Sequence, residues 1–193
     1  MAADFRFIVV GRGMMGAAAA RHLANQTDGI AVIGPDEPED RANHQGVFGS
    51  HYDEGRITRT IDPDTDWARL ANRSISRYAD IERDSGIQFY SAVGCLVTGP
   101  KRGGEISYVD DVVGAAGRLG VQTELLDDAG LKAKFPFFAF ASGSEGVFEP
   151  KGAGHISPRR LVKAQSLLAE KAGARVIKQT ALSIRDEGGL AIV

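Results

Sequence analysis

The chain has 193 residues, of which 43% are hydrophobic, and its 23 basic and 25 acidic side chains give a formal net charge of −2. A chain of this length can bury a sizeable core, and its balanced charge gives no electrostatic reason to expect a nucleic acid or a membrane as partner. No apolar run approaches the roughly 18 residues that span a bilayer, and no secretory signal is recognisable, so the sequence predicts a soluble cytoplasmic protein.

The N-terminal region has the pattern of a βαβ unit. Residues 5–10 are a short apolar run rich in β-branched side chains, and residues 30–33 are a second such run. Between them lie a glycine-rich turn and a helix-forming run at residues 17–24. This order predicts two parallel strands that are joined by a right-handed helical crossover.

The turn after the first strand carries the spacing Gly-x-Gly-x-x-Gly, at Gly11, Gly13 and Gly16. Between a strand and a helix this spacing is typical of dinucleotide binding, because the glycines permit a tight turn, a close approach to the pyrophosphate and close helix packing. The helix N-terminus then presents its N–H groups and positive dipole end to the phosphates, and we count Met14 and Met15 among these cofactor-binding residues. The alternative is a glycine-rich turn that binds no nucleotide.

The end of the second predicted strand departs from the usual dinucleotide pattern. Gly34 stands where an acidic residue commonly binds the ribose hydroxyls. Asp36 or Glu37, two or three residues further on, could take that role. No Arg or Lys directly follows the strand to bind a 2′-phosphate, so the sequence disfavours NADP.

The remaining elements alternate between helices and short strands. Residues 34–66 are polar and rich in turn-forming residues, which predicts a long loop that is either functional or disordered. Apolar spacing and cap residues then predict four helices: one from Asp66 to Gly86, one over residues 105–119, a short one that begins at Asp127 or Asp128, and one that begins at Ser157 and Pro158. Strands are predicted over residues 89–97, 146–150 and 175–178, with a bend at Gly94, a turn at Gly99-Pro100, and a final hairpin that pairs residues 182–184 with residues 190–193.

A longer pattern over residues 49–59 is more specific than the glycine motif. The segment reads Gly-Ser-His-Tyr-Asp-Glu-Gly-Arg-Ile-Thr-Arg. Together with the opening glycine motif it resembles the sarcosine-oxidase-like branch of the D-amino-acid-oxidase superfamily of FAD enzymes. The helix around Trp67 and residues 94–100, 148–150 and 154–161 are also similar and occur in the same order. The resemblance covers nearly the whole chain and corresponds to the N-terminal half of such an enzyme.

The resemblance implies an α/β fold in which a Rossmann-like FAD-binding domain is interleaved with part of an α+β substrate domain. It assigns residues 1–86 and 146–193 to the FAD-binding domain and residues 87–145 to the substrate domain. Enzymes of this family are about twice this length, so the resemblance implies an incomplete fold. The Cys that bonds the flavin in some members belongs to their second half, and Cys95 is therefore not assigned that role.

Carried over residue by residue, the resemblance also implies a site. Its catalytic residues are Arg56 and His51, its substrate-binding residues are Arg59 and Tyr52, and its cofactor-binding residues are Gly11, Gly13, Met14, Met15, Gly16, Ser50 and Asp36. Arginine suits these roles because it grips carboxylates with two parallel hydrogen bonds, and because a cation beside the flavin stabilises the anionic reduced form. Tyr52 stands where the branch often has a second histidine.

Several of these side chains have ordinary alternatives. Arg56 and Arg59 could be surface ion-pair partners of Asp53, Glu54 or Asp62. The cluster Phe135, Phe137, Phe138 and Phe140 predicts either core or interdomain packing or a wall of the substrate pocket. Cys95, the single cysteine, is expected to be a small buried residue, and the histidines show no metal-ligand spacing, so no metal is predicted.

The sequence therefore predicts the N-terminal portion of a flavin-dependent amine or amino-acid oxidase. Hydride would pass from the C–H next to the amine nitrogen to FAD, the imine would be hydrolysed, and oxygen or another acceptor would reoxidise the flavin. The expected partners are a small amine or amino-acid substrate and either the missing C-terminal half or a partner subunit. The alternatives are a non-catalytic FAD-binding fragment or interaction subunit and, with less support, an NAD-dependent Rossmann dehydrogenase.

Overall fold

The protein is described here by a computed structural model that covers residues 3–193. The strands are β1 (Phe7–Val10), β2 (Ile30–Ile33), β3 (Arg56–Thr58), β4 (Tyr90–Ser91), β5 (Cys95–Pro100), β6 (Glu124–Leu126), β7 (Ser144–Glu149), β8 (Gly154–Ile156), β9 (Arg175–Ile177), β10 (Arg185–Glu187) and β11 (Leu190–Ile192). The helices are α1 (Met14–Ala24), α2 (Thr65–Ile75), α3 (Tyr78–Ser85), α4 (Tyr108–Leu119), α5 (Asp128–Lys134) and α6 (Pro158–Lys171). Within residues 3–193, no helix is long and apolar enough to cross a membrane.

The chain divides into two compact units, each assembled from separate stretches of sequence. The first comprises the chain up to Gly55 together with Asp80–Phe89 and Ser157–Val193, and the second comprises Arg56–Ala79 and Tyr90–Ile156. The sequence-based assignment of residues 1–86 and 146–193 to FAD binding and of residues 87–145 to a substrate domain stays a prediction, because compactness alone does not assign a function.

The first unit is built on a parallel sheet with the strand order β1-β2-β9. Strand β2 is buried along its whole length, as expected for the central strand of a parallel sheet that is covered by helices. Ala20 of α1 and Ala169 of α6 pack with Ile30 and Val32 in the core, and their small side chains let the helices approach closely. The predicted βαβ unit is therefore confirmed.

The predicted start of α6 is confirmed as well, because the Ser157 side chain accepts a hydrogen bond from the backbone N–H of Arg160.

The second unit contains two antiparallel sheets of three strands, with the orders β3-β8-β4 and β5-β7-β6. Helix α4 buries Val109, Val112 and Ala116 in a core that also holds Val97 and Val147. The spacing over residues 105–119 predicts this apolar face, but the helix begins at Tyr108, so Ile106 lies before it and is 55% exposed. Gly94, which has a φ of 85°, separates β4 from β5, and the predicted bend is confirmed.

The predicted single helix from Asp66 to Gly86 is wrong, since two helices, α2 and α3, occupy this stretch. The cap is Asp64, whose carboxylate accepts hydrogen bonds from the backbone N–H groups of Asp66 and Trp67. Trp67 is 67% exposed and Leu70 is 53% exposed, so apolar spacing did not identify the buried face of α2, which buries the small residue Ala68 instead.

Three shorter elements also differ from the sequence-based predictions. The predicted loop over residues 34–66 contains β3, which at three residues is too short to give a recognisable pattern. Gly99-Pro100 ends strand β5 instead of forming a separate turn. The hairpin exists, but its first strand is residues 185–187, because the two-residue turn at Gly188-Gly189 pairs Glu187 directly with Leu190.

Candidate active site

The turn between β1 and α1 requires glycine at two of its positions, at one because of its backbone conformation and at the other because it leaves no space for a side chain. Gly11 has a φ of 99°, a left-handed conformation that favours glycine, and its N–H donates to the carbonyl of Ile33 at 2.8 Å. A Cβ built on Gly16 would lie 1.7 Å from the carbonyl oxygen of Gly11. The turn is therefore a tight cradle of backbone atoms, which fits the pyrophosphate of a dinucleotide.

The N-terminus of α1 suits a negatively charged ligand. Its cap residue, Gly13, has no side chain to bond the first N–H groups, and the first turn contains no acidic residue. Met14 and Met15 lie in this turn, and Met15 is 85% exposed. The helix therefore directs a positive dipole end, with no competing carboxylate in its first turn, toward an incoming phosphate.

The segment at residues 49–52 lies beside this turn. A Cβ on Gly13 would be 3.7 Å from Nδ1 of His51, so the imidazole approaches the backbone of the glycine motif. Tyr52 is buried, and its ring contacts the rings of His51 and Phe48 at centroid distances of 4.5 and 4.9 Å. Ser50, which is exposed, belongs to the same segment. The fold thus brings together two motifs that are distant in the sequence, since His51 lies 38 residues after Gly13.

Crowding explains the glycine at the end of β2. A Cβ on Gly34 would lie 2.6 Å from both the backbone nitrogen and the Cβ of Arg12. The Arg12 side chain bends over the strand end and donates from Nε to the Gly34 carbonyl at 3.3 Å and from Nη2 to the Pro35 carbonyl at 3.2 Å. No acidic side chain could stand at position 34 without displacing the Arg12 backbone.

Asp36 lies just beyond this strand end between two cations. It forms ion pairs with Arg12 and with Lys178, the latter at 2.8 Å between Oδ2 and Nζ. The hydrogen bond from Lys178, followed by the contact with Arg12, lowers the pKa of Asp36 below its ordinary value of 3.8. Asp36 is therefore ionised at neutral pH.

Arg159, which the sequence analysis did not single out, connects two segments of the first unit. Its guanidinium grips Glu37 in a bidentate pair, with Nε–Oε2 at 2.8 Å and Nη2–Oε1 at 3.0 Å. It also donates to the carbonyl of Tyr52 and to the carboxylate of Glu54. Arg159 therefore ties the loop after β2 to the segment that carries His51. Glu37 lies 122 residues before Arg159, so no local pattern could have identified the contact.

A cleft of about 520 Å³ opens between these segments and α6 within the first unit. Arg12, Asp36, Glu37 and Tyr52 line it together with residues of α6, including Ser166. The Ser166 hydroxyl is buried and has no hydrogen-bond partner among the described residues. A buried, unsatisfied hydroxyl on a cleft wall is a position where a bound ligand could supply the partner.

Arg56 and Arg59 belong to the second unit, at the start of β3 and one residue beyond its end. Arg56 is exposed. Arg59 donates from Nε to the carbonyl of Ile61 at 2.9 Å and pairs through Nη2 with Oδ2 of Asp62 at 2.6 Å. The ordinary alternative, an ion pair with a neighbouring acid, is therefore present for Arg59.

Glu149 is a fully buried carboxylate in the second unit. It accepts hydrogen bonds from the backbone N–H of Thr60, at 3.2 and 3.1 Å to its two oxygens, and from the Thr60 hydroxyl. Burial raises the pKa of Glu149 above its ordinary value of 4.5, although these hydrogen bonds act in the opposite direction. Glu149 thus anchors the backbone directly after Arg59.

An apolar cavity of about 490 Å³ lies elsewhere in the second unit and is lined by Ile57, Cys95, Phe138, Phe140 and His155, among others. Phe137 is 75% exposed and Phe138 is 56% exposed, so the prediction of core packing is wrong for these two rings. Cys95 is half-buried, and burial raises the pKa of its thiol, which makes it a poor nucleophile. Among residues 3–193, no group of three or more His, Cys, Asp or Glu side chains could hold a metal ion.

Comparison with known proteins identifies the family. The chain matches the family described as FAD dependent oxidoreductase (DAO) over residues 6–193. The chain therefore belongs to this family of FAD-dependent oxidoreductases, and the predicted resemblance, cofactor and fold class are confirmed. The match does not favour an NAD-dependent dehydrogenase or a non-catalytic subunit.

Several curated relatives are sarcosine oxidases. The monomeric sarcosine oxidase of Bacillus sp. (strain B-0618) is 29% identical over 184 residues, which are 93% of this chain and 44% of the relative. The peroxisomal sarcosine oxidase of Mus musculus is 24% identical over 178 residues, which are 92% of this chain and 43% of the relative. The chain thus spans less than half the length of these relatives.

Solved structures show the same fold. L-proline dehydrogenase from P. horikoshii aligns with a TM-score of 0.69 and 19% identity over 92% of this chain and 45% of its own. Iminodiacetate oxidase from Chelativorans sp. BNC1 aligns with a TM-score of 0.64 and 25% identity over 96% of this chain and 50% of its own.

Proposed function

We propose that the protein is a flavin-dependent amine or amino-acid oxidase and that this chain supplies its pyrophosphate cradle and part of its substrate site. The observation that carries the proposal is the approach of His51 to Gly13. This contact places the glycine turn beside residues 49–59, the segment that resembles the sarcosine-oxidase branch. Relatives that are named as sarcosine oxidases support the same reaction class.

The cofactor would be held mainly by backbone groups of the first unit. Gly11, Gly13 and Gly16 would admit the pyrophosphate, and the first turn of α1, which contains Met14 and Met15, would donate N–H groups to it. Ser50 would lie close to the flavin. Asp36, kept ionised by its two cations, would accept hydrogen bonds from the ribose hydroxyls in place of an acid at position 34.

The chemistry divides between cofactor and protein. FAD, when bound, accepts the hydride that leaves the carbon next to the amine nitrogen, and the resulting imine is hydrolysed. Arg56 would supply a positive charge that stabilises the electron-rich reduced state, and His51 would hold a proton beside the cofactor. Arg59 would bind a substrate carboxylate through parallel hydrogen bonds, and Tyr52 would shape the wall near the substrate.

The proposal is tested by mixing the full-length, FAD-loaded protein with amines in the absence of oxygen. N-methylglycine, proline or a D-amino acid should bleach the visible flavin absorbance and yield an aldehyde, imine or keto acid. N-acetylglycine, whose nitrogen lone pair is tied up in an amide, is the control and should leave the absorbance unchanged. Failure of every primary and secondary amine to bleach the flavin would contradict the proposal.

Asp36→Asn is expected to weaken FAD binding about tenfold, because the ribose loses a charge-assisted hydrogen bond. The measurement is a fluorescence titration of apoprotein with FAD, in which ADP competes for the same site. Glu39→Gln, on an exposed residue of the same loop, is the matched control and should leave the affinity unchanged. An unchanged affinity in Asp36→Asn would show that another group binds the ribose.

A further inference from the structure

Arg59 is only partly used by its own chain. Its guanidinium carries five N–H donors, of which Nε–H bonds the carbonyl of Ile61 and one Nη2–H bonds Asp62. Among the described residues this side chain makes no further hydrogen bond, which leaves both Nη1 donors and one Nη2 donor for a ligand. The Arg59 side chain is 34% exposed, so these donors can be reached from solvent.

Asp62 is held in place independently of Arg59. Its Oδ1 accepts a hydrogen bond from the backbone N–H of Asp64 at 3.0 Å, and its side chain is 24% exposed. On the other side of the pair, the buried Glu149 fixes the backbone of Thr60. The ion pair therefore lies in a segment that other hydrogen bonds hold in place, with Oδ2 of Asp62 2.6 Å from Nη2 of Arg59.

We propose that Asp62 is a specificity-determining residue, a built-in counter-charge that weakens the binding of carboxylate-bearing amines to Arg59 relative to amines without a carboxylate. The proposal rests on the proposed function, in which Arg59 binds the substrate. A substrate carboxylate that binds the remaining Nη donors would contact a guanidinium whose charge Asp62 already balances. It would also lie close to the carboxylate of Asp62.

The size of the effect follows from Coulomb's law. The two carboxylates, Asp62 and the substrate's, would bind different nitrogens of the guanidinium about 6 Å apart. Their repulsion changes the binding constant roughly 3-fold at the dielectric constant of water and about 100-fold at an effective dielectric constant of 20. Because both side chains are partly exposed, the lower part of this range applies, and we expect a change of about tenfold.

Asp62→Asn tests the proposal with little change in shape. The hydrogen bond from Nε to the Ile61 carbonyl still orients Arg59, while the negative charge is gone. In the full-length, FAD-loaded protein, KM should fall about tenfold for N-methylglycine and proline, with kcat nearly unchanged. KM for dimethylamine and pyrrolidine, the same amines without a carboxylate, should stay constant or rise. The difference should shrink at high salt.

Asp66→Asn is the matched control, because Asp66 pairs with Arg69 at the same i,i+3 spacing, 3.0 Å apart, on an exposed helix face. It should change neither KM. Asp62→Ser is a second variant that also removes the charge, in case Asp62→Asn folds poorly. Acetate provides a readout without turnover, since its effect on the flavin spectrum should saturate at lower concentration in both Asp62 variants.

The outcomes separate this inference from the proposed function. If amines bleach the flavin but the ratio of KM values with and without a carboxylate is the same in both Asp62 variants as in the unmodified protein, Asp62 does not set specificity. A higher KM for the amino acids would mean that Asp62 holds Arg59 in its binding position, which also overturns the inference. If no amine bleaches the flavin, the proposed function fails, while acetate binding still shows whether Asp62 opposes anions.

Discussion

Gly16→Ala is expected to abolish FAD binding and to lower the free energy of unfolding by about 3 kcal/mol, the upper end for overpacked sites. The new methyl carbon would lie 1.7 Å from the carbonyl oxygen and 2.9 Å from the carbonyl carbon of Gly11. These are backbone atoms, so no side-chain rotation can relieve the clash. Either α1 must move away from the turn or the turn must open, and both changes destroy the phosphate cradle.

Gly117→Ala is the matched control for this prediction. Gly117 also lies within a helix, α4, but a Cβ there would meet nothing within 4 Å. The same substitution should therefore stabilise the protein by up to about 1 kcal/mol, the difference in helix propensity between alanine and glycine. Urea unfolding and FAD titration measure both effects. If Gly16→Ala binds FAD as tightly as Gly117→Ala does, the close packing of α1 against the turn is not required for binding.

Glu149→Ala should lower the free energy of unfolding by about 3 kcal/mol, because it leaves a buried backbone N–H unsatisfied and opens a small cavity. The unsatisfied donor would be the N–H of Thr60, which now bonds both carboxylate oxygens. Glu145→Ala, on the same strand, removes a carboxylate that pairs with Arg102 nearer the surface, and it should have a much smaller effect. Equal losses of stability in the two variants would contradict the assigned role of Glu149.

The raised pKa of Glu149 also predicts a pH dependence. An acid whose pKa is higher in the folded state binds its proton more tightly there, so its contribution is complete below the unfolded pKa and is lost as pH rises through the folded pKa. Glu149→Gln cannot titrate. The stability of the unmodified protein relative to this variant should therefore fall as pH rises above about 4.5, the ordinary value. Carboxyls with lowered pKa values, such as Glu54, are common to both proteins and cancel in the comparison.

The parts of the site that were predictable from sequence are those whose chemistry is local. Gly11 is needed for its backbone conformation and Gly16 for its close contact with Gly11. Both requirements arise within six residues of the chain, so the glycine spacing in the sequence indicates them. The cap of α6 is local in the same way. The apolar face of α2 was not predictable, because the spacing of Trp67 and Leu70 shows that a helix forms but not which side faces the core.

Contacts between distant parts of the chain account for what the sequence could not reveal. The absence of an acid at Gly34 is visible in the sequence, but its cause, the backbone of Arg12, is apparent only once β1 and β2 lie side by side. Arg159 is likewise one of many charged residues until the fold places it against Glu37 and Tyr52. Asp62 was recognised as a neighbour of Arg59, and the fold added the orientation of the pair.

The central claim, that the glycine turn and its neighbouring loop form the cradle for FAD, is tested most directly by titrating the full-length apoprotein with FAD. The account predicts that one FAD binds per chain, that ADP competes with it, and that FMN, which lacks the adenosine part, binds far more weakly. Protein that remains colourless and whose intrinsic fluorescence does not respond to FAD, or that binds FMN as tightly as FAD, would contradict the account.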